Sequence, residues 1–161
     1  MKRAAGARRQ AGITLIEMLM VSLLLSLLVG ITFPAVSSGV ESLRLRSAAD
    51  SIAGFLNAAL NWAERRQDVV EIVISTRTNE LTARSARPGL FRRLDLPEGV
   101  SIANVHPAEF AGEEQERSVL VYPGSAPPRV GIEIVNRKQE RRTVWVDPTT
   151  GVPIVERPEV K

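Results

Sequence analysis

Residues 13–33 read ITLIEMLMVSLLLSLLVGITF, an apolar run interrupted by a single charge, Glu17. At 1.5 Å per residue, about 21 helical residues span roughly 30 Å, the hydrocarbon thickness of a bilayer. The run therefore predicts a helix able to cross a membrane. Lys2, Arg3, Arg8 and Arg9 precede it with no acidic residue among them, and no comparable basic cluster follows directly. The positive-inside rule then places the N-terminus in the cytoplasm and most of the chain on the far side. A secretory signal peptide has a shorter apolar stretch, about 7–15 residues, with a small-residue cut after it. Here the run is longer, and the candidate cut, between Gly12 and Ile13, lies before it.

Glu17 is the informative residue. A lone carboxylate in a membrane helix costs on the order of 2.5–3.5 kcal/mol even on mild scales, and such groups usually have a partner. A cut after Gly12 would create an α-amino group one helical turn before Glu17, and the amine of a neighbouring copy would then pair with the carboxylate and set register. The alternative is a carboxylate that lies near the interface and snorkels to headgroups. Pro34 ends the run, and its missing N–H and its ring predict a kink or local melting in a continuing helix.

The chain has 161 residues, enough for one modest domain plus an appendage. It contains no cysteine, which excludes disulfides, thiolate metal sites, cysteine nucleophiles and a lipidated cysteine. The formal charge of +3 suggests an acidic partner, but setting aside the four leader cations of 21 basic residues and Glu17 of 18 acidic ones leaves 17 of each sign. The region beyond the apolar segment is formally neutral, so position matters more than the sum.

Beyond the membrane run, residues 41–66 carry Leu43, Ile52, Phe55, Leu56, Ala59, Leu60 and Ala63 mostly at three- and four-residue steps, which predicts a helix with one buried face. After Gln67 the period becomes two. Residues 69–74 and 80–84 flank Thr78-Asn79 as a hairpin, and 90–96, 100–103, 118–122, 130–135, 143–146 and 153–155 are further short strands between Pro, Gly, Asn and Asp turns. The stretch 104–117 has no period and reads as a mobile excursion. The expectation is an α+β fold, with a leader (1–12), a membrane and assembly helix (13–33), its continuation (34–66) and an antiparallel β head of one or two sheets (67–161).

Residues that would carry chemistry are few. His106 is the sole histidine, no Gly-x-Ser-x-Gly elbow accompanies it, and a loop histidine without a task is the favoured reading. Glu113, Glu114 and Glu116 lack the donor spacing and glycine of a calcium loop and read as a solvated acidic face. No phosphate loop, metal-ligand pair or cofactor fingerprint is present, so no cofactor or metal is expected and the protein reads as a substrate of processing enzymes rather than an enzyme. Arg137, Lys138, Arg141 and Arg142 crowd a hairpin turn. Four exposed cations can grip phosphate, although Glu140 lies among them and no aromatic series accompanies them, so a partner contact or a solvated turn ranks ahead of DNA.

Gly12 followed by Ile13-Thr14-Leu15-Ile16-Glu17-Met18-Leu19 resembles the cleavage and methylation site of the type IV prepilin and type II secretion pseudopilin family. The resemblance implies cleavage after Gly12 by a membrane-embedded prepilin peptidase, N-methylation of Ile13, and a role for Glu17 in recruiting and aligning subunits. Similar prolines at the offset of Pro34 occur in pilins. The first mature residue of that family is most often Phe, and here it is Ile13. Tyr122-Pro123-Gly124-Ser125, then residues 130–134 (VGIEI) and 144–151 (VWVDPTTG), resemble the minor pseudopilin H and FimT branch (GspH/FimT). This implies a pilin-like fold, an inner-membrane single-pass protein with a periplasmic head, and other pseudopilins, an inner-membrane assembly platform and exported proteins as partners. FimT-like pilins that take part in DNA uptake are the nearest sibling reading. A membrane-anchored periplasmic binding domain that never polymerises is the reading from a different class.

Overall fold

A computed structural model describes residues 13–107 and 115–156, leaving aside the side chains of 33–38. The chain divides into two compact units, Met1–Ser38 and Gly39–Lys161. The fold is α+β: an apolar N-terminal helical segment, a further helical segment, and two small antiparallel sheets. Helix α1 is assigned from Leu15–Arg66, with the division between the units inside it.

In the first unit every described side chain of the apolar segment is exposed. Leu and Met dominate it, residues that lose little rotamer freedom in a helix. Its hydroxyls are satisfied within the helix itself: Ser22 Oγ donates to the Met18 carbonyl, Ser26 Oγ to that of Ser22 and Thr32 Oγ1 to that of Leu28, each at 2.8 Å. With its hydroxyls bonded to its own backbone, the segment presents an apolar surface interrupted only by Glu17, which suits hydrocarbon.

In the second unit α1 buries Leu45, Ala48, Ala49, Ile52, Phe55, Leu56, Ala59 and Ala63, a stripe at three- and four-residue steps. Leu43, expected on this face, is 66% exposed. It stands two residues before Leu45, about 200° around the helix, and so points the other way. The helix stops on a left-handed Gln67, φ 50°, with the Asp68 N–H reaching back to the Ala63 carbonyl at 3.3 Å, and with Arg65 and Arg66 in the last turn where the dipole favours cations. Asp68 ties this end to the sheet, its carboxylate accepting the N–H of Val69 at 3.0 Å and of Arg87 at 3.1 Å.

The eight described strands are β1 Val70–Ser75, β2 Glu80–Ser85, β3 Phe91–Asp95, β4 Val100–His106, β5 Glu116–Val121, β6 Gly131–Asn136, β7 Arg141–Val146 and β8 Pro153–Glu156. They form two four-stranded sheets of order β3-β2-β1-β5 and β4-β6-β7-β8. Alternate residues Val70, Ile72 and Ile74, Leu81 and Ala83, Ile132 and Ile134, and Val144 and Val146 point inward, and together with the helix stripe make one apolar core. The predicted hairpin is present, with Asn79 left-handed at φ 54° and its Oδ1 accepting the Ile102 N–H at 2.8 Å, so the turn of one sheet is pinned to a strand of the other.

One sequence expectation is corrected here. The stretch 104–117 is not irregular throughout, because β4 runs on to His106 and β5 begins at Glu116. Of the remainder, residues 108–114, with Glu113 and Glu114, lie outside the described residues. The cause is a bulge at Ala103: β4 pairs Ile102 with Ile134 but Asn104 with Glu133. One extra residue breaks the alternation on which strand recognition depends.

Candidate functional site

Two regions bring functional side chains together. The first is the start of α1. Ile13 and Thr14 precede the helix, and Thr14 Oγ1 accepts the N–H of Glu17 at 3.3 Å. A threonine there satisfies one of the N–H groups that a helix start leaves open. Glu17 carries the one charge between Leu15 and Thr32 and is exposed, and Ile13 is 68% exposed. Gly12, on the other side of the expected cut, lies outside the described residues. Pro34 falls within the helix assignment, with its side chain outside the description.

The second region is the solvent face of the sheet β4-β6-β7-β8. The bulge at Ala103 turns Asn104 and His106 outward, beside Glu133 and Gly131 of β6, while Trp145 of β7 sits opposite Gly131. The Trp145 indole lies against Gly131, where a Cβ would meet ring carbons at 2.6 Å, and stacks on the His106 ring with centroids 5.3 Å apart. Glu133 accepts from Asn104 Nδ2 at 2.7 Å and Arg141 at 2.8 Å, with His106 Nε2 3.8 Å away. The Asn104 hydrogen bond, opposed by partial burial and aided by Arg141, holds the Glu133 carboxyl below the usual range. His106, expected to be a loop residue without a task, is a strand residue packed on Trp145. No periodic signal in the sequence reveals this, because the bulge hides the register that makes the pair.

The four cations of the β6–β7 turn do not form one patch. Arg137 and Lys138 are exposed at the turn, which is organised by Asn136: its Oδ1 accepts the N–H groups of Lys138 and Glu140, and its Nδ2 donates to Glu140. The Arg137 side chain lies over Gly99, with Nε 3.3 Å from where a Cβ would stand. Arg141 is committed to Glu133, and Arg142, one residue on, projects from the opposite face of the strand and is half-buried. Among the described residues no group of three or more His, Asp or Glu side chains could hold a metal ion.

Two further turns were legible as motifs. In the first, the Gly124 N–H donates to Glu64 Oε1 at 2.8 Å, which ties the loop after β5 to the last turns of α1. In the second, the Asp147 carboxylate accepts the Thr149 N–H at 2.8 Å and the Thr150 hydroxyl at 2.9 Å, and Gly151 closes the turn at φ 71°. These bonds lower the Asp147 carboxyl from its ordinary range.

Residues 7–33 match the family model described as the prokaryotic N-terminal methylation motif. The match covers the end of the leader with Arg8 and Arg9, the Gly12–Ile13 junction and the apolar helical segment, and it supports a type IV pilin-like or pseudopilin class, structural rather than enzymatic. The motif implies processing by a prepilin peptidase and assembly with other pilin-like subunits, with the apolar helix as a candidate membrane anchor. No curated protein and no solved structure matches the chain.

Proposed function

We propose that the protein is a minor pseudopilin of a type II secretion system, of the H-like kind, built into the tip or near-tip region of a periplasmic pseudopilus after cleavage between Gly12 and Ile13 and N-methylation of Ile13. The observation that carries this reading is the methylation motif over residues 7–33, which takes in a stretch, Leu15–Thr32, whose apolar side chains are all exposed. Before assembly that surface is held in the inner membrane; in a filament, neighbouring helices replace lipid. Glu17 then meets the new amine of an adjacent subunit, offsetting the cost of its burial and fixing register.

The head supplies contacts with other pseudopilins, the assembly platform and exported proteins. Support for this comes from Tyr122 and Val152, each more than half exposed, at a cleft of about 370 Å³ that Leu60, Glu64 and Pro127 also line. A FimT-like minor pilin of a type IV pilus is the second reading, favoured by the exposed Arg137 and Lys138; the divergence of Arg141 and Arg142 weakens its DNA-binding form.

Intact-mass and peptide mass spectrometry of the protein from cells with and without the prepilin peptidase tests the reading. Loss of Met1 to Gly12 and a methylated Ile13, both dependent on the peptidase, are expected. A leader that persists beside an active peptidase would leave an anchored periplasmic domain that is never polymerised.

A further inference from the structure

We infer that the cleft beside the last turns of α1 holds an extended peptide segment, with an apolar side chain between Tyr122 and Val152 and a lysine or arginine at Glu64. The inference rests on the reading above, in which the head meets other proteins, and names the chemistry of what it meets.

One wall of the cleft is a helix face. Asn57, Leu60, Asn61 and Glu64 stand at three- and four-residue steps, so they share one side of α1, and all four line the cleft. Asn61 Nδ2 donates to the Asn57 carbonyl and to Asn57 Oδ1, each at 2.8 Å. Asn57 Nδ2 and Asn61 Oδ1 are thereby left as a donor and an acceptor one turn apart with no partner among the described residues, the two roles that a main-chain amide complements. Glu64 uses Oε1 to accept the Gly124 N–H at 2.8 Å, is exposed, and makes no ion pair among the described residues. From Asn57 to Glu64 the helix rises about 10 Å, the length of about three residues of extended chain. A single short segment can therefore reach the amides and the carboxylate together.

The facing wall is apolar and built in advance. Tyr122 follows β5 and Val152 precedes β8, each more than half exposed at the rim. Behind them Gly151, at φ 71°, comes so close to Pro127 that a Cβ would stand 3.2 Å from its Cγ. This contact and the bond from Gly124 to Glu64 fix the walls before anything binds, which lowers the ordering cost of binding. The volume of about 370 Å³ is at the small end for ligand clefts and admits a few side chains rather than a folded surface.

Charge decides the class of occupant. Glu64 is the one charged residue among the described residues that line the cleft. Arg65 and Arg66 follow it at about 100° and 200° around the helix and do not line the cleft. An acidic segment would meet the carboxylate with nothing to offset the repulsion, whereas a basic side chain supplies its missing partner.

The test presents a randomised pool of end-blocked heptapeptides to the full chain in detergent, sequences those retained, and remeasures the strongest by fluorescence anisotropy. Enrichment of lysine or arginine within three residues of a large apolar side chain is expected, with aspartate and glutamate depleted. Glu64→Gln keeps the acceptor for Gly124 but removes the charge, and should weaken the strongest peptide about fivefold at low salt, a difference that shrinks as salt is added. Tyr122→Ala opens the apolar wall and should weaken it about tenfold. Urea midpoints equal to the parent's establish that both variants are folded, and Val152→Ala is the wall variant to use if Tyr122→Ala lowers the midpoint. A pool without this bias, an enrichment of acidic peptides, or binding that both substitutions leave unchanged would overturn the inference. An uncut leader in a chain that still retains basic, apolar peptides would remove the filament reading and leave the cleft. A correctly cut chain that retains none would do the reverse.

Discussion

At Gly131 one hydrogen in place of a methyl group decides how a face of the molecule is built. The Trp145 ring occupies the space a Cβ would need, with ring carbons at 2.6 Å, and from there it reaches the His106 ring. Gly131→Ala must push the indole off the sheet and break that stack. The expected loss is about 1–3 kcal/mol of stability, typical of overpacking, read from urea unfolding of the full chain in detergent. Gly54→Ala is the internal contrast. It lies on the exposed side of α1 with nothing within 4 Å of its Cβ position, so removing glycine's excess freedom should stabilise by about 0.5–1 kcal/mol. Opposite signs for the same chemical change would tie each effect to its surroundings; two losses would mean that the helix around Gly54 is more tightly packed than its exposure indicates.

At the scale of elements, α1 shows what periodicity can and cannot reveal. Ile52 is fully buried and Leu43 is 66% exposed, although both are large aliphatics within ten residues of one helix. Ile52→Ala should cost about 2–5 kcal/mol through lost burial and a cavity. Leu43→Ala should stay within about 0.5 kcal/mol, so a comparable loss at Leu43 would show that it is covered by something other than this chain. The stripe was readable because six of its seven expected members share a phase; Leu43 was misassigned because composition identified it as apolar while phase places it on the opposite side. The strands were readable wherever alternation is strict, as in 70–74 and 132–134. At Ala103 the bulge breaks alternation, and with it went the end of β4 and the role of His106. Of the candidate sites, the reading of the Gly12–Ile13 junction and of Glu17 rests on leader charge, apolar length and residue order, which agree. The Asn104–Glu133–Arg141 network was not legible, since it depends on cross-strand register.

For the molecule as a whole, the head folds without a disulfide, so apolar packing and a few well-placed carboxylates hold it. Glu71 lies in the outer face of one sheet, lowered by hydrogen bonds first from Arg84 and then from Ser118. Glu133 lies in the other sheet, lowered by Asn104, Arg141 and His106 against partial burial, and Asp147 in the last turn by Thr149 and Thr150. All three have folded-state values below their unfolded ones, so each contributes stability that is present above the unfolded value, about 4, and is lost as pH falls through the lowered folded value. The melting temperature should therefore be insensitive to these groups between about pH 5 and 7 and decline below about pH 4.5 as protons are taken up on unfolding. Glu71 and Arg84 face water, so added salt should shrink their part of the decline, while the short-range bonds of Asp147 should be little affected. Glu133→Gln separates the third contribution. It cannot take up the proton, so its curve should begin lower at neutral pH and descend less steeply through the acid range. A Gln variant whose acid decline is as steep as the parent's would mean that Glu133 leaves stability independent of pH, and that the donors around it orient the outer face of the sheet without anchoring the head.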